Sequence, residues 1–125
     1  MSKIVDNSPA VVIAIAIQVV KKGKGMSALA WKLFLAVWKA PATGISIDDL
    51  ESRFGFGTPN LHLAWFCNEV AKKLGDNQPG DFVLASRTFD KDGKLFLSLK
   101  PSVAAAMDLL STTAGREEIS RYRNQ

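Results

Sequence analysis

Two short helical segments joined by a tight glycine-containing turn occupy residues 46–74, and this stretch constrains the fold more than any other. Ser46 is a residue type favoured at the start of a helix, and Gly55 suits the left-handed position that ends one. Three apolar residues recur between them at helical spacing: Ile47, Leu50 and Phe54. We therefore predict a helix that starts after Ser46 and ends at Gly55, with Phe56 filling the turn that follows.

A second helix is predicted to begin at Thr58 and Pro59, which match an N-cap residue followed by a first-turn proline. Its buried face is an apolar stripe at helical spacing: Leu63, Phe66, Cys67, Val70 and Leu74. Its outward face carries Thr58, Leu61, Trp65, Asn68, Glu69 and Lys72. Asn60 and His62 lie near the edges of the first turn. Two helices with this turn indicate a helix-turn-helix.

Residues 81–100 predict a β-hairpin. The alternating segments 81–87 (DFVLASR) and 94–100 (KLFLSLK) flank the sequence Asp90-Lys91-Asp92-Gly93, and Asp-Gly is a common hairpin turn. Residues 75–80 (GDNQPG) have the composition of the loop that leads into it. A hairpin directly after a helix-turn-helix indicates a winged helix-turn-helix.

Residues 10–20 (AVVIAIAIQVV) are apolar on every side. Ser8 and Pro9 match the N-cap and first turn of a helix that runs to about Lys22, and the segment is longer than most strands. It is too short to cross a bilayer, and Asp6 precedes it where a signal peptide would be basic, so we expect a buried helix without membrane association. Because one small domain can cover only part of such a helix, we expect homodimerisation.

Three further segments complete a mainly α-helical fold with a small β-hairpin. A helix is predicted after Ser27 and before Pro41, and another from Pro101 with a line of apolar residues, Val103, Met107 and Leu110. The polar tail predicts a short helix docked by Ile119 and Tyr122. The expected total is five to six helices and a wing of two to three strands. We predict one domain over residues 1–125, comprising a dimerisation helix (1–25), the helix-turn-helix and wing (26–100), and a C-terminal helix and tail (101–125).

Composition and charge narrow the classes of function. A hydrophobic fraction of 47% and a charged fraction of 22% are those of a globular protein, and a net charge of +4 permits nucleic acid as a partner. The single cysteine, Cys67, lies in the buried stripe, which predicts an inert thiol and suits the reducing cytoplasm. His62 is the single histidine and no CxxC occurs, so no metal or other cofactor is expected. No nucleophile elbow, phosphate loop or acid/base constellation is present, so we do not expect an enzyme.

The order of these elements over residues 26–110 resembles the MarR-type winged-helix regulators. The stretch GISIDDLESRFGFGTPNLHLAWFCNEVAKKL is similar to that family's helix-turn-helix, and SRTFDKDGKLFLSLKPSVAAAMDLL to its wing and following helix. Arg87, Asp92-Gly93-Lys94 and Leu97-Ser98-Leu99 are similar to the arginine, Asp-x-Arg and Leu-Thr run of the family's wing. The resemblance implies a transcriptional regulator that forms a dimer through its N- and C-terminal helices. It also implies a recognition helix from about Thr58 in the major groove of double-stranded DNA, and a wing on the backbone or minor groove.

The candidate nucleic-acid-binding residues follow from this arrangement. Amide and imidazole groups early in the second helix suit base reading, and wing cations suit phosphates. The predicted set is Thr58, Asn60, Leu61, His62, Trp65, Lys72, Arg87, Lys91 and Lys94. No lysine or arginine occurs between Thr58 and Ala71, and Glu69 repels phosphate, so a second interpretation stays open. In it, the winged helix is a protein–protein interaction module, or a phage or plasmid replication or partition protein, that uses the Trp65 face. Trp65 could equally be tucked under the wing.

Overall fold

Seven α-helices and three short β-strands make up residues 3–125, the part of the chain that the computed structural model describes. The helices are α1 (Lys3–Asn7), α2 (Ala10–Lys22), α3 (Ala28–Trp38), α4 (Ile47–Phe54), α5 (Ala64–Lys73), α6 (Pro101–Ser111) and α7 (Thr113–Arg123). The strands are β1 (Ile45–Ser46), β2 (Ala85–Phe89) and β3 (Leu95–Leu99), and a π-helical turn, Pro59–Leu63, leads into α5. The predicted class, mainly α with a small β-hairpin, is confirmed. The helices outnumber the predicted five to six.

Hydroxyl side chains set the first residue of three helices. The oxygen of Ser27 accepts a hydrogen bond from the backbone N–H of Ala30, and that of Ser46 accepts one from Asp49, both at 3.0 Å. Each bond satisfies a backbone donor that the first turn of a helix leaves without a partner. Thr112 does the same for α7 through the N–H of Gly115, at 3.0 Å. The predicted caps Ser27 and Ser46 are therefore confirmed.

The N-terminus departs from the prediction. An additional short helix, α1, precedes α2, and Pro9 rather than Ser8 is the N-cap of α2. The hydroxyl of Ser8 donates to the carbonyl oxygen of Ile4 at 2.6 Å, so it closes the end of α1 instead of opening the next helix. The two helices meet at Pro9 because its extended conformation redirects the chain between them.

The apolar helix α2 lies at the centre of the molecule. It packs against α6, α5 and α7 of the same chain. Its fully covered residues are Ile13, Ala14, Ala16, Ile17 and Val20. Only Val19 among its large apolar residues is strongly exposed, at 41%. Three helices of the same chain therefore cover part of α2, whereas Val11, Val12 and Ile15 stay partly exposed, so the expectation that one chain covers only part of this helix holds.

The three strands form one antiparallel sheet in the order β1-β3-β2. Leu97 of β3 lies between Ile45 of β1 and Arg87 of β2. Ile45 and Leu97 are buried, whereas Arg87 is exposed because β2 lies at the edge of the sheet. The hairpin turn was predicted, and β1 brings the strand count to the upper end of the expected range.

The segment before β2 was predicted as part of the strand and is a turn. Phe82 has a positive φ of 54°, a conformation that is rare for a bulky residue. Its carbonyl oxygen accepts from the N–H of Ala85 at 2.8 Å, which closes the turn. Phe82, Val83 and Leu84 are all buried, as residues of a core strand would be, so their apolar character does not distinguish a strand from this turn.

The polar tail forms a full helix, α7, rather than a short one. Ile119 is 2% exposed and docks α7 onto α2 and α6, as predicted. Tyr122 is 44% exposed, so its predicted docking role is wrong. Within residues 3–125, no helix has both the length and the apolar character that crossing a bilayer requires.

Candidate nucleic-acid interface

The turn between α4 and the π-helical turn is held by two hydrogen bonds that close it from opposite sides. The carboxylate of Glu51 accepts from the backbone N–H of Gly57 at 2.6 Å. The hydroxyl of Thr58 donates to the carbonyl oxygen of Gly55 at 2.8 Å. Gly55 and Gly57 have φ values of 116° and 79°, which glycine adopts without strain. These two hydrogen bonds therefore hold the turn although no apolar residue fills its centre.

One prediction for this turn is wrong and another holds only in part. Phe56 does not fill the turn: 95% of it is exposed. Thr58 stands at the N-cap position, as predicted, but its φ and ψ are helical and its hydroxyl donates to Gly55 instead of capping the next helix. Pro59 does occupy the first position of the helix, where its missing N–H costs no hydrogen bond.

The second helix is continuous from Pro59 to Lys73 but begins with a wider, π-helical turn. The N–H of Ala64 bonds to the carbonyl oxygen of Pro59, five residues back, instead of four. The predicted buried stripe holds: Leu63, Phe66, Cys67 and Val70 are at most 2% exposed, and Leu74 is partly buried. The ring of Phe66 packs on Phe34 of α3 with centroids 4.7 Å apart. This packing fixes which face of the helix points away from the core.

The outward face presents one polar and one apolar residue in its first turn. Asn60 is exposed, and Leu61 is 69% exposed. His62 is partly buried, and its Nδ1 lies 3.3 Å from the hydroxyl oxygen of Ser27. Trp65 is also partly buried and packs against the core, so it is not a fully exposed contact residue. Of this turn, Asn60 and Leu61 are thus the side chains most open to a partner.

Acidic neighbours pair with two of the predicted cations. The ammonium group of Lys72 lies 3.1 Å from the carboxylate of Glu69, one turn away on α5. The ammonium group of Lys94, at the hairpin, lies 3.9 Å from the carboxylate of Asp48 on α4. Both pairs are largely exposed, so they contribute little stability and can exchange partners. Each nevertheless lowers the net positive potential of the surface around it.

Arg87 and Lys91 carry the remaining positive charge of the hairpin. Both are exposed, and within residues 3–125 no carboxylate lies within 4.0 Å of either charged group. The tip itself is ordered by Asp90, whose carboxylate accepts from the N–H groups of Asp92 and Lys94, each at 2.9 Å. The hairpin therefore has an ordered tip and carries two cations that have no carboxylate partner within residues 3–125.

Sequence reasoning missed two residues that shape this surface. Glu51 places a carboxylate beside the first N–H groups of the second helix, the end of a helix that favours anions. Phe56 adds a large exposed apolar group next to it. The glycines on both sides of Phe56 were the sequence signal for its exposure, because a residue between two positions of positive φ is easily turned away from the core.

Cys67 is buried and is not poised for chemistry. Burial raises the pKa of its thiol to about 12; Asp81 adds to the rise, and a hydrogen bond with the backbone of Leu84 opposes it. Across residues 3–125, no three His, Cys, Asp or Glu side chains come together as metal ligands.

No protein-family model, curated protein or solved structure matches the chain.

Proposed function

We propose that the chain is a dimeric winged-helix transcriptional regulator that reads double-stranded DNA with the helix 58–74 and the wing 81–100. The proposal rests chiefly on one observation. The exposed amide of Asn60 stands at the start of a helix whose opposite side is packed into the core, and the hairpin of the same domain carries two cations without a carboxylate partner within residues 3–125.

Each of these groups has a distinct role in the proposal. An asparagine amide can bond both N6 and N7 of adenine in the major groove, so Asn60 is assigned to base reading. Arg87 and Lys91 are assigned to phosphates, which position a protein without selecting a sequence. Lys72 and Lys94 contribute by exchanging their exposed acidic partners for phosphates.

Glu51 limits how such a complex could form. Its carboxylate is bonded to Gly57 and disfavours a phosphate at the N-terminus of the second helix. Most of the affinity for duplex would then come from the wing and from the pairing of two copies on one site.

The test is the salt dependence of binding to a random-sequence duplex. Each phosphate contact contributes about 0.9 to the slope of log K against log salt concentration. We expect Arg87→Ala and Lys91→Ala each to lower that slope by about 1, and Arg123→Ala, an exposed control on α7, to leave it unchanged. Salt-independent binding, or none at low ionic strength, would contradict the proposal.

A second candidate, a winged helix that binds a protein partner, is favoured by the apolar side chains beside Asn60. Phe56 is 95% exposed and Leu61 is 69% exposed, and exposed aromatic residues often anchor protein contacts. Phe56→Ser is a better probe than Trp65→Ala, because Trp65 packs against the core. A protein retained by the wild-type chain and lost with Phe56→Ser, in the absence of duplex binding, would favour this candidate.

A further inference from the structure

Strand β2 forms an open edge of the sheet. Its one neighbour is β3, and the other side of β2 has no strand within residues 3–125. A strand in this position presents N–H and C=O groups that can pair with another extended segment. The residues that present them can be derived from the register of the hairpin.

Hydrogen bonds at both ends of the hairpin define that register. The N–H of Lys100 bonds to the carbonyl of Leu84 at 3.1 Å, and the N–H of Asp90 bonds to that of Lys94 at 3.0 Å. Because bonded pairs alternate in an antiparallel ladder, Ser86 and Thr88 direct their backbone groups to β3. The intervening residues direct theirs to the open side: Ala85, Arg87 and Phe89.

These outward groups are unpaired apart from one. The N–H of Ala85 bonds to Phe82, whereas the N–H and C=O groups of Arg87 and Phe89 have no hydrogen-bond partner among residues 3–125. The strand has no proline or bulge to block pairing, and Phe89 is 69% exposed. A groove of about 990 Å³ runs beside it, walled by Asp6, Asp81, Lys100 and Ser102.

We propose that β2 pairs antiparallel with β2 of a second copy of this chain, so that the two three-stranded sheets become one sheet of six strands. This inference goes beyond the proposed function: in the paired form Arg87 and Lys91 contact the second copy, so the pairing competes with their assignment to phosphates and is tested here without DNA. It places the contact between copies at the sheet edge rather than at the N- and C-terminal helices.

One register of this pairing is self-complementary. With Thr88 on the two-fold axis, Arg87 of each copy lies opposite Phe89 of the other, and their outward N–H and C=O groups form four hydrogen bonds. The guanidinium can then lie over the facing ring. Centring the pairing on Arg87 would oppose two arginines, and centring it on Phe89 would oppose Arg87 to Lys91, so like charges disfavour both alternatives.

The groove accommodates the hairpin tip of the second copy in this register. Lys91 of the second copy lies opposite Ala85, at the end of β2 where Asp81 and Asp6 line the groove. Asp81 is exposed and has no cationic partner within 4.0 Å among residues 3–125. The tip therefore brings a positive charge to Asp81, once at each end of the paired strands, whereas Asp6 already pairs with Lys100 at 2.9 Å.

Disulfide trapping tests the pairing and its register without DNA. Two Thr88 residues would form a pair without backbone hydrogen bonds, with Cα atoms about 4.5 Å apart, within the range that a disulfide spans. We expect Thr88→Cys to form a covalent dimer of twice the 13.6 kDa chain mass on mild oxidation. Lys91→Cys is exposed on the same hairpin but would lie about 20 Å from its counterpart, so it is the control. Cys67 is buried and should not interfere.

Proline substitution provides the second arm. Arg87→Pro and Phe89→Pro each remove one outward N–H group and leave every hydrogen bond to β3 in place. In the Thr88→Cys background, each should lower the rate of cross-linking at least tenfold. Circular dichroism should show that the fold persists in both variants. Arg87→Ala, which keeps the N–H, should cross-link faster than Arg87→Pro. Equal cross-linking of Thr88→Cys and Lys91→Cys, or a wild-type chain that stays monomeric by sedimentation at millimolar concentration, would overturn the inference.

Discussion

The carboxylate of Glu51 accepts a hydrogen bond from the backbone N–H of Gly57 at 2.6 Å, across the turn that separates α4 from the second helix. A bond of this kind to a charged acceptor contributes about 1.5–3 kcal/mol when it is partly shielded from water. It also places a negative charge where the proposed duplex would approach. One side chain therefore stabilises the turn and, in the proposed complex, would repel a phosphate.

Substitution of Glu51 separates these two effects. Glu51→Ala removes the acceptor and should lower the free energy of unfolding by about 1.5 kcal/mol in urea titrations. Glu51→Gln keeps an acceptor and removes the charge, so it should cost less stability. If the chain binds DNA as proposed, Glu51→Gln should also tighten duplex binding about fivefold at low salt, equivalent to about 1 kcal/mol of repulsion removed. Unchanged duplex affinity would indicate that phosphates do not approach this turn.

The contrast between Phe56 and Trp65 gives a prediction about stability. Phe56 is 95% exposed, so Phe56→Ser should change the free energy of unfolding by less than about 0.5 kcal/mol. Trp65 packs against the core, so Trp65→Ala should cost about 2–3 kcal/mol, somewhat less than a fully buried tryptophan. Thermal unfolding followed by circular dichroism compares the two. A large loss for Phe56→Ser would mean that this side chain is covered in solution.

Gly44 and Gly57 form a matched pair for measuring a backbone clash. Both have positive φ, of 89° and 79°, so alanine at either is strained by about 1–2 kcal/mol. At Gly44 a Cβ atom would lie 2.7 Å from the carbonyl oxygen of Leu97, whereas at Gly57 it would meet no atom within 4 Å. Gly44→Ala should therefore be the more destabilising by a further 1–3 kcal/mol or so, measured by urea unfolding. Equal losses would show that the β1–β3 contact relaxes freely.

The thiol of Cys67 should be unreactive in the folded chain. Its pKa is raised to about 12 by burial, so almost no thiolate is present near pH 8, and labelling by an aromatic disulfide reagent should wait for unfolding. Labelling in concentrated guanidinium chloride is the control. Rapid labelling of the native chain would contradict the buried position.

The same pKa shift predicts a loss of stability in alkali. The unfolded thiol loses its proton near its ordinary pKa of about 8.5, whereas the folded thiol keeps its proton until about pH 12. The folded state therefore binds more protons over this interval, and its contribution to stability, present below about pH 8.5, falls as pH rises toward 12. The fall in unfolding free energy across this interval should be shallower in Cys67→Ala than in the wild-type chain.

Local sequence relationships determined much of this fold. Ser27 and Ser46 cap helices because each needs only a backbone N–H three residues away, and the stripe from Leu63 to Val70 is buried because residues three and four apart share a helix face. The hairpin followed from Asp-Gly between two alternating segments. These features depend on neighbours in sequence, so the sequence alone is sufficient to predict them.

Tertiary structure decided what those elements present to a partner. Residues distant in sequence cover α2 and half-bury Trp65, and Asp48 reaches Lys94 from another element. The direction of Phe56 depends on two positive φ angles and on the Glu51–Gly57 bond, none of which periodicity reports. The open edge of β2 arises because β1 pairs with the far side of β3. Burial and charge pairing depend on distances in space, and only the folded chain sets those distances.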